Sequence, residues 1–216
     1  MFGTKRNKIF CISMQRSGTT SVGEFFRHFK YNVAGYDISL KNKWTKSWLD
    51  GNYKQIFKSK DFLKNQVFED DPWWCPEFYK VLYHEFKNAK FILLTRPPED
   101  WFKSMINHSG GKTLGNTEIH CKIYRREKDF VNIAQKFDRH DTTYNDNLLD
   151  LKQNKELYLE HYTRHNHEVI SFFEQHDSSK LFYGDLYDKD IWQKMGAYFS
   201  IDVPKQFNIH ANKSNK

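Results

Sequence analysis

The chain has 216 residues, 38% of them hydrophobic and 17% aromatic, which suits one domain with a single core rich in aromatic side chains. The formal net charge of +7 favours an anionic partner but selects none, because the lysines are spread along the chain. Three cysteines with no close spacing argue against a disulfide framework, and no apolar stretch approaches the length of a membrane span, so we expect a cytoplasmic protein.

The first half of the chain alternates predicted strands with predicted helices. A short apolar run at 8–13 predicts a buried strand, and after a turn the apolar residues of 19–30 fall at helical spacing. Residues 66–69 predict a second strand, and Pro76 opens a helix that extends through Phe86. This alternation is typical of a parallel sheet whose strands are connected by helices.

The second half continues the pattern. Residues 90–95 form the clearest strand of the sequence, and Pro97 and Pro98 end it and start a helix through Met105. The later predicted elements are a helix over 154–174, a strand over 180–183 and a helix over 188–199. The sequence therefore predicts an α/β protein of one domain over 1–216, with a central, mainly parallel sheet flanked by helices.

The segment 107–150 has the weakest pattern. A helix is predicted over 118–137, and residues 138–150 are polar and irregular. We interpret 107–150 as a lid or substrate-loop insertion, with a plain surface excursion as the alternative.

A loop of the phosphate-binding type follows the first strand. It consists of Gln15, Arg16, Ser17, Gly18, Thr19, Thr20 and Ser21. The start of the following helix directs unpaired backbone N–H groups and the positive end of the helix dipole at one point. Gly18 lets the backbone approach a phosphate closely, and Arg16 adds a permanent cation. An ordinary strand–turn–helix connection with a threonine cap is the alternative.

This loop departs from the ATP-binding pattern G-x-x-x-x-G-K-[ST]. If Gly18 is the second glycine, Ser13 stands in place of the first and Thr19 in place of the lysine. The lysine that reaches the β- and γ-phosphates is therefore missing, which argues against a nucleotide kinase or ATPase. The pattern favours a ligand with a single phosphate and one neighbouring anionic group.

A second group of candidate residues follows the strand at 90–95. Arg96 stands at the carboxyl end of that strand, where α/β proteins bind ligands, and Ser104 lies eight residues later in the next helix. A guanidinium and a hydroxyl in these positions are suited to a second phosphate. The alternative is that Arg96 pairs with Glu99 or Asp100 and that Ser104 is a surface residue.

Together the two segments resemble the sulfotransferases that use 3′-phosphoadenosine 5′-phosphosulfate (PAPS). In that family a K/R-S/T-G-T-T loop binds the 5′-phosphosulfate, and an arginine at a strand end with a serine eight residues later binds the 3′-phosphate. Residues 16–20, and Arg96 with Ser104, match both features. Further segments resemble a bacterial-type branch of the family, namely 78–96, 162–169, 181–192 and 207–213.

The resemblance implies a P-loop-like fold, PAPS as co-substrate, no metal, and a hydroxyl of a small molecule or glycan as acceptor. Three features depart from the family pattern. Arg16 replaces the commoner lysine, Pro97 stands where an aspartate or asparagine often follows the arginine, and the R-K-G segment of the cytosolic animal enzymes is absent. The candidate replacements for R-K-G are His210, Asn212 and Lys213.

Sulfo transfer to a hydroxyl needs a base and a cation at the leaving phosphate. Arg16 is the candidate cation, and Ser104 is the candidate residue that tunes it. Asp70 matches the acidic residue of the D-x-P motif in the bacterial-type branch, so we expect it to be the base. Asp71 is the next candidate, and a solvated acidic turn is the alternative. Adjacent acids raise each other's pKa, which suits a base in this turn.

Several other residues compete for a role at the site. His108 and His120 are alternative bases in the 107–150 segment. His161 and His165 have metal-ligand spacing but no acidic or cysteine partner, so we interpret His165 as facing the core or supporting the pocket. Four tryptophans could line an acceptor pocket, but we assign them to the core: Trp44, Trp48, Trp73 and Trp74.

Two other functions compete with sulfo transfer. A P-loop-like kinase of a small molecule would use ATP and Mg²⁺, and the missing lysine counts against it. A nucleic-acid-binding protein would account for the positive charge, but no basic block interleaved with aromatic residues supports it. The sequence identifies neither the acceptor nor the oligomeric state.

Overall fold

A computed structural model of the protein describes residues 7–108, 118–136 and 149–209. The chain divides into two units, a sheet unit (residues up to 96 and from 166 onward) and a helical unit (residues 97–165). The strands are β1 (Ile9–Cys11), β2 (Val33–Ala34), β3 (Val67–Phe68), β4 (Lys90–Thr95) and β5 (Leu181–Asp185). The helices are α1 (Thr19–His28), α2 (Tyr36–Asn42), α3 (Trp44–Leu49), α4 (Tyr53–Lys58), α5 (Lys60–Lys64), α6 (Phe78–Glu85), α7 (Pro98–Asn107), α8 (Glu118–Ile123), α9 (Glu127–Ala134), α10 (Lys155–His176) and α11 (Ile191–Tyr198).

All strand pairings in the described residues are parallel, in the order β2-β3-β1-β4-β5. The central strand β1 pairs with β3 on one side and β4 on the other, with Phe10 opposite both Phe68 and Phe91. The predicted α/β class with a parallel sheet is therefore confirmed. The apolar run of β1 has no polar side because helices cover both faces of such a sheet.

The two faces of β1 pack into two different parts of the core. Ile9 and Cys11 point into an aliphatic and aromatic cluster with Phe25 of α1 and Trp192 of α11. Phe10 points the opposite way, into an aromatic cluster whose nearest rings belong to Phe68, Trp73, Phe62, Phe86 and Phe91. The side chains alternate because successive residues of a strand face opposite sides of the sheet.

Two helix predictions need correction. The helix predicted over 118–137 is broken into α8 and α9, because Arg125 has a left-handed φ of 54° that an α-helix cannot accommodate. The helix expected to open at Pro76 begins at Phe78, after Glu77 with a φ of 62°. The sequence also left 31–65 without assigned elements, where the structure has β2 and four short helices.

The helical unit is built from α7, α8, α9 and the first half of α10. Its central contact is a stack of Trp101 on Tyr162, with ring centroids 4.4 Å apart. Tyr158, one turn earlier on α10, packs near Phe102 at 6.5 Å between ring centroids.

Candidate functional site

The candidate site of the sheet unit lies at the carboxyl edge of the sheet. Because all strands are parallel, the turns that follow them share this edge. The turn after β1 is the 15–21 loop, the turn after β3 carries Asp70, and Arg96 directly follows β4. The turn after β5 carries Leu186 and Tyr187, which sequence reasoning did not single out.

Two residues with left-handed backbone give the 15–21 loop its shape. Arg16 has a φ of 65° and Gly18 a φ of 85°. Between them the amide of Ser17 donates to the carbonyl of Met14 at 3.1 Å, which closes a tight turn directly after the strand. A β-carbon at position 18 would lie 2.7 Å from Leu186 Cδ1, so this close approach as well as the backbone favours glycine.

Helix α1 starts at the end of this loop. Gly18 is its N-cap and has no side chain that could satisfy the first amides, and the first turn contains no acidic residue. Ser17, Thr19 and Ser21 are buried, while Gln15 is half-buried at the loop's start. The amides and the dipole of a ten-residue helix therefore favour an anion at this end.

One arginine lies in the loop, Arg16, and a second, Arg96, contacts the loop. Arg96 Nη1 donates to the backbone carbonyl of Arg16 at 3.3 Å, which ties the end of β4 to the loop. Burial, and next the neighbouring charge of Arg96, lower the pKa of Arg16 below its ordinary value. Two cations held this close repel each other, so an anion between them is favoured.

Tyr187 holds the other end of Arg96. Arg96 Nη2 donates to the Tyr187 hydroxyl at 2.6 Å, and the guanidinium lies 5.3 Å from the centroid of the tyrosine ring. The amide of Tyr187 in turn donates to Asp185 Oδ1 at 2.8 Å. About half of the Tyr187 side chain is exposed, so an aromatic face is presented beside the arginine. The sequence signal that could have found Tyr187 is its position two residues after β5.

The acidic turn after β3 contains two aspartates, Asp70 and Asp71, whose carboxylates accept different hydrogen bonds. Thr45 Oγ1 donates to Asp71 Oδ2 at 2.5 Å, and the amide of Asp71 donates to Asp70 Oδ1 at 2.8 Å. Burial, and next the charge of Asp71, raise the pKa of Asp70 to about 7, while Arg16 opposes the shift. Asp70 has a left-handed φ of 73°. A pKa of about 7 suits Asp70 to accepting a proton near neutrality.

Glu69 is a third carboxyl in this turn, and sequence reasoning gave it no role. Its side chain is 5% exposed and lies between two glycines, where a β-carbon on Gly23 or Gly35 would come within 2.9 or 2.5 Å of Oε1. Arg27 Nη2 lies 3.5 Å from the same oxygen. Burial, and next the charge of Asp70, raise the pKa of Glu69 to about 8, so the neutral acid is favoured at pH 7.

The other predicted residues belong to the helical unit, to the core or to the part of the chain outside the described residues. Ser104 is half-buried in the middle of α7, and His108 and His120 are half-buried, all three in the helical unit. The predicted tail residues are outside the described part of the chain; they are His210, Asn212 and Lys213. The four tryptophans assigned to the core are buried, as expected: Trp44, Trp48, Trp73 and Trp74.

The cysteines and the predicted histidine pair are also buried. Cys11, Cys75 and Cys121 are free thiols, in agreement with the prediction that they form no disulfide framework. His161 and His165 both lie inside the helical unit. In the part of the chain that the structure describes, no group of three or more acidic, histidine or cysteine side chains is arranged to hold a metal ion. Within the same residues, no helix has the length and apolar character needed to cross a bilayer.

These features define a parallel α/β domain with a strand–loop–helix of the phosphate-binding type. Comparison with known families makes the class specific, because a family model described as "Sulfotransferase domain" matches residues 8–216. The chain belongs to this sulfotransferase domain family. No curated protein matches it.

Two solved structures are similar in outline. One is the "Sulfotransferase Domain from the Curacin Biosynthetic Pathway", with 12% identity, a TM-score of 0.48, and coverage of 92% of this chain and 75% of that one. The other is a gluconokinase from Sinorhizobium meliloti 1021, with 12% identity, a TM-score of 0.37, and coverage of 80% and 99%. Because these scores are low, the family assignment rests on the match of the sequence.

Proposed function

We propose that this protein transfers the sulfo group of PAPS to a hydroxyl of a small molecule or glycan. The observation that carries the proposal is the pair Arg16 and Arg96, held together beside the N-terminus of α1 at the carboxyl edge of the sheet. PAPS has two anionic groups, the 5′-phosphosulfate and the 3′-phosphate. A site with two cations and a helix N-terminus is complementary to both.

The two anionic groups of the donor would bind different residues of this site. In the proposed complex the 5′-phosphosulfate binds the loop residues Gln15, Arg16, Ser17, Gly18, Thr19, Thr20 and Ser21. We assign Arg96 to the 3′-phosphate, and Ser104, eight residues later in the sequence, is the second residue assigned to that phosphate. Tyr187 holds the Arg96 side chain in place and offers its exposed ring to the nucleoside.

The proposed chemistry is a single displacement at sulfur. Asp70 accepts the proton of the acceptor hydroxyl, and the acceptor oxygen forms a bond to sulfur. The bond between sulfur and the bridging phosphate oxygen breaks, and that oxygen keeps the electron pair. Arg16 and the amides at the start of α1 stabilise the negative charge that develops there. The products are a sulfate ester and the 3′,5′-bisphosphate, PAP.

A donor-binding experiment tests this proposal against the kinase and nucleic-acid alternatives. PAP, ATP–Mg²⁺ and an oligonucleotide are each titrated into the full chain by isothermal titration calorimetry. Of these three ligands, only PAP should bind tightly. PAP should bind equally well in the presence of a chelator, since Arg16, Arg96 and the helix N-terminus supply the positive charge. Tight binding of ATP–Mg²⁺ with none of PAP would refute the proposal.

A variant of Arg96 tests the assignment of the 3′-phosphate. Arg96→Ala should weaken PAP by about 1.5–3 kcal/mol, the usual worth of a charge-assisted hydrogen bond. Binding of adenosine 5′-phosphosulfate, which lacks the 3′-phosphate, should change little. Arg125→Ala is the matched control, because this arginine is exposed and is not assigned to the donor. Equal losses for the two ligands would mean that Arg96 has a structural role.

A further inference from the structure

The helical unit contains a buried arginine whose partners satisfy only part of it. Arg126 stands at the N-cap of α9, and its side chain is 1% exposed. Its Nε donates to Asp129 Oδ2 at 2.9 Å. The other two guanidinium nitrogens, Nη1 and Nη2, have no hydrogen-bond partner within the described residues. A buried guanidinium is normally fully paired, because it gives up strong hydration on burial.

The ring of Tyr158 supports this guanidinium from one side. The guanidinium carbon of Arg126 lies 4.9 Å from the ring centroid. The tyrosine hydroxyl is directed elsewhere, since it donates to the carbonyl of Leu149 at 2.8 Å. The tyrosine therefore fixes the plane of the guanidinium by a cation–π contact and leaves the hydrogen-bonding edge of Nη1 and Nη2 for another group.

His161 adds a third donor to the same cluster. It is buried on α10 one turn after Tyr158, and Arg164 Nη2 lies 3.4 Å from its Nδ1. Because a guanidinium only donates, Nδ1 accepts and the ring proton is on Nε2. Nε2 has no partner within the described residues. Burial, and next the charge of Arg126, lower the pKa of His161, so the ring is a neutral donor.

The cluster thus contains three donor nitrogens that have no acceptor within the described residues. Arg126 contributes two nitrogens and His161 one, and Tyr158, one turn before His161 on α10, contacts the Arg126 guanidinium. Asp129 occupies only the Nε side of the guanidinium. Both the buried guanidinium and the imidazole N–H need a hydrogen-bond acceptor, and the positive charge favours a negatively charged one. The cluster is therefore complementary to an oxyanion.

We propose that Arg126 and His161 form a second anion site, which binds a carboxylate, sulfate or phosphate group of a small molecule. Every residue of this site lies in the helical unit, so the proposal does not depend on the donor loop. The anion has two potential sources. It is either a free ion or an acidic group carried by the sulfo acceptor, and the second of these sources rests on the function proposed above.

The direct test uses the full chain and a signal from the site itself. Inorganic sulfate and acetate are titrated while the ring nitrogens of His161 are followed by ¹⁵N NMR, with the resonances assigned from His161→Gln. A response of the His161 ring that is lost in Arg126→Met assigns the bound ion to this cluster. We expect a saturable change in the wild type and in Arg125→Met, and at least tenfold weaker binding in Arg126→Met. No saturable change with either ion would overturn the proposal, as would an unchanged response in Arg126→Met.

A stability measurement shows whether the Arg126→Met variant is folded, so that a lost response can be assigned to the site. In buffer of low anion content Arg126→Met should be at least as stable as the wild type, because methionine removes the unpaired charge and keeps the apolar stem. Sulfate should then raise the melting temperature of the wild type and of Arg125→Met more than that of Arg126→Met. Equal increases in all three proteins would show only the general effect of sulfate on folding and would contradict a specific site.

Kinetics distinguish the two sources of the anion. Pairs of acceptors that differ only by a carboxylic acid or its primary amide are compared in sulfo transfer. If the acceptor supplies the anion, Arg126→Met should raise the KM of the acid at least tenfold, with little change for the amide. If a free ion is the ligand, Arg126→Met changes both KM values equally, while the wild type still gives the saturable NMR response to the ion. If sulfo transfer itself is absent, the NMR titration still decides whether the site exists.

Discussion

The burial of Glu69 predicts how the free energy of unfolding depends on pH, and this can be measured without a substrate. In the unfolded chain this carboxyl has an ordinary pKa near 4.5, whereas in the fold burial raises the pKa to about 8. Between these values the folded protein holds one proton more than the unfolded chain. The free energy of unfolding therefore falls as pH rises, by up to about 1.36 kcal/mol per pH unit.

Glu69→Gln should remove this dependence, because glutamine has the same shape and does not ionise. We expect the variant to gain roughly 2 kcal/mol on the wild type between pH 5.5 and pH 7.5, measured by urea unfolding. Glu24→Gln is the matched control, since Glu24 pairs with the same Arg27 at 2.8 Å but is half-exposed. A stability difference between Glu69→Gln and the wild type that does not change with pH would refute the argument.

Two further predictions concern the loop and the base. Asp70→Asn should lower turnover by roughly 10²–10⁴-fold with little change in PAP affinity, and the wild-type rate should fall as pH drops through about 7, where Asp70 becomes protonated. An active Asp70→Asn would mean that the base is another residue. Gly18→Ala should lose about 1–3 kcal/mol of stability and most PAP binding, because of its φ of 85° and the contact with Leu186. Gly51→Ala is its control, because Gly51 has a φ of 68° but no atom within 4 Å of an added β-carbon, and it should lose stability only.

The strands and the larger helices could be predicted because their sequence patterns are local. An apolar run such as β4, bounded by Lys90 on one side and Pro97 on the other, determines where a buried strand begins and ends. Once the strands are known to be parallel, the positions of Arg16, Asp70 and Arg96 at one edge follow from topology alone. Their roles in binding and catalysis stay predictions.

The features that sequence reasoning missed depend on contacts between distant segments. The helices α2 to α5 are only five to seven residues long, too short for a helical period to stand out. Glu69 is buried because Gly23 and Gly35, far from it in sequence, leave room for its carboxyl. The partnership of Arg96 with Tyr187 joins residues 91 positions apart. No local pattern encodes such pairings.

The strand order also separates the charges that the proposed reaction needs. β1 lies between β3 and β4, so the loop after β1 has an acidic turn on one side and Arg96 on the other. The proposed reaction requires that a donor held by Arg16 and Arg96 present its sulfo group toward the side of Asp70. The positive charge of Arg16 opposes the raised pKa of Asp70, and a bound phosphosulfate would neutralise that charge. The pKa of Asp70 would then rise further. The base would then be strongest only once the donor is in place.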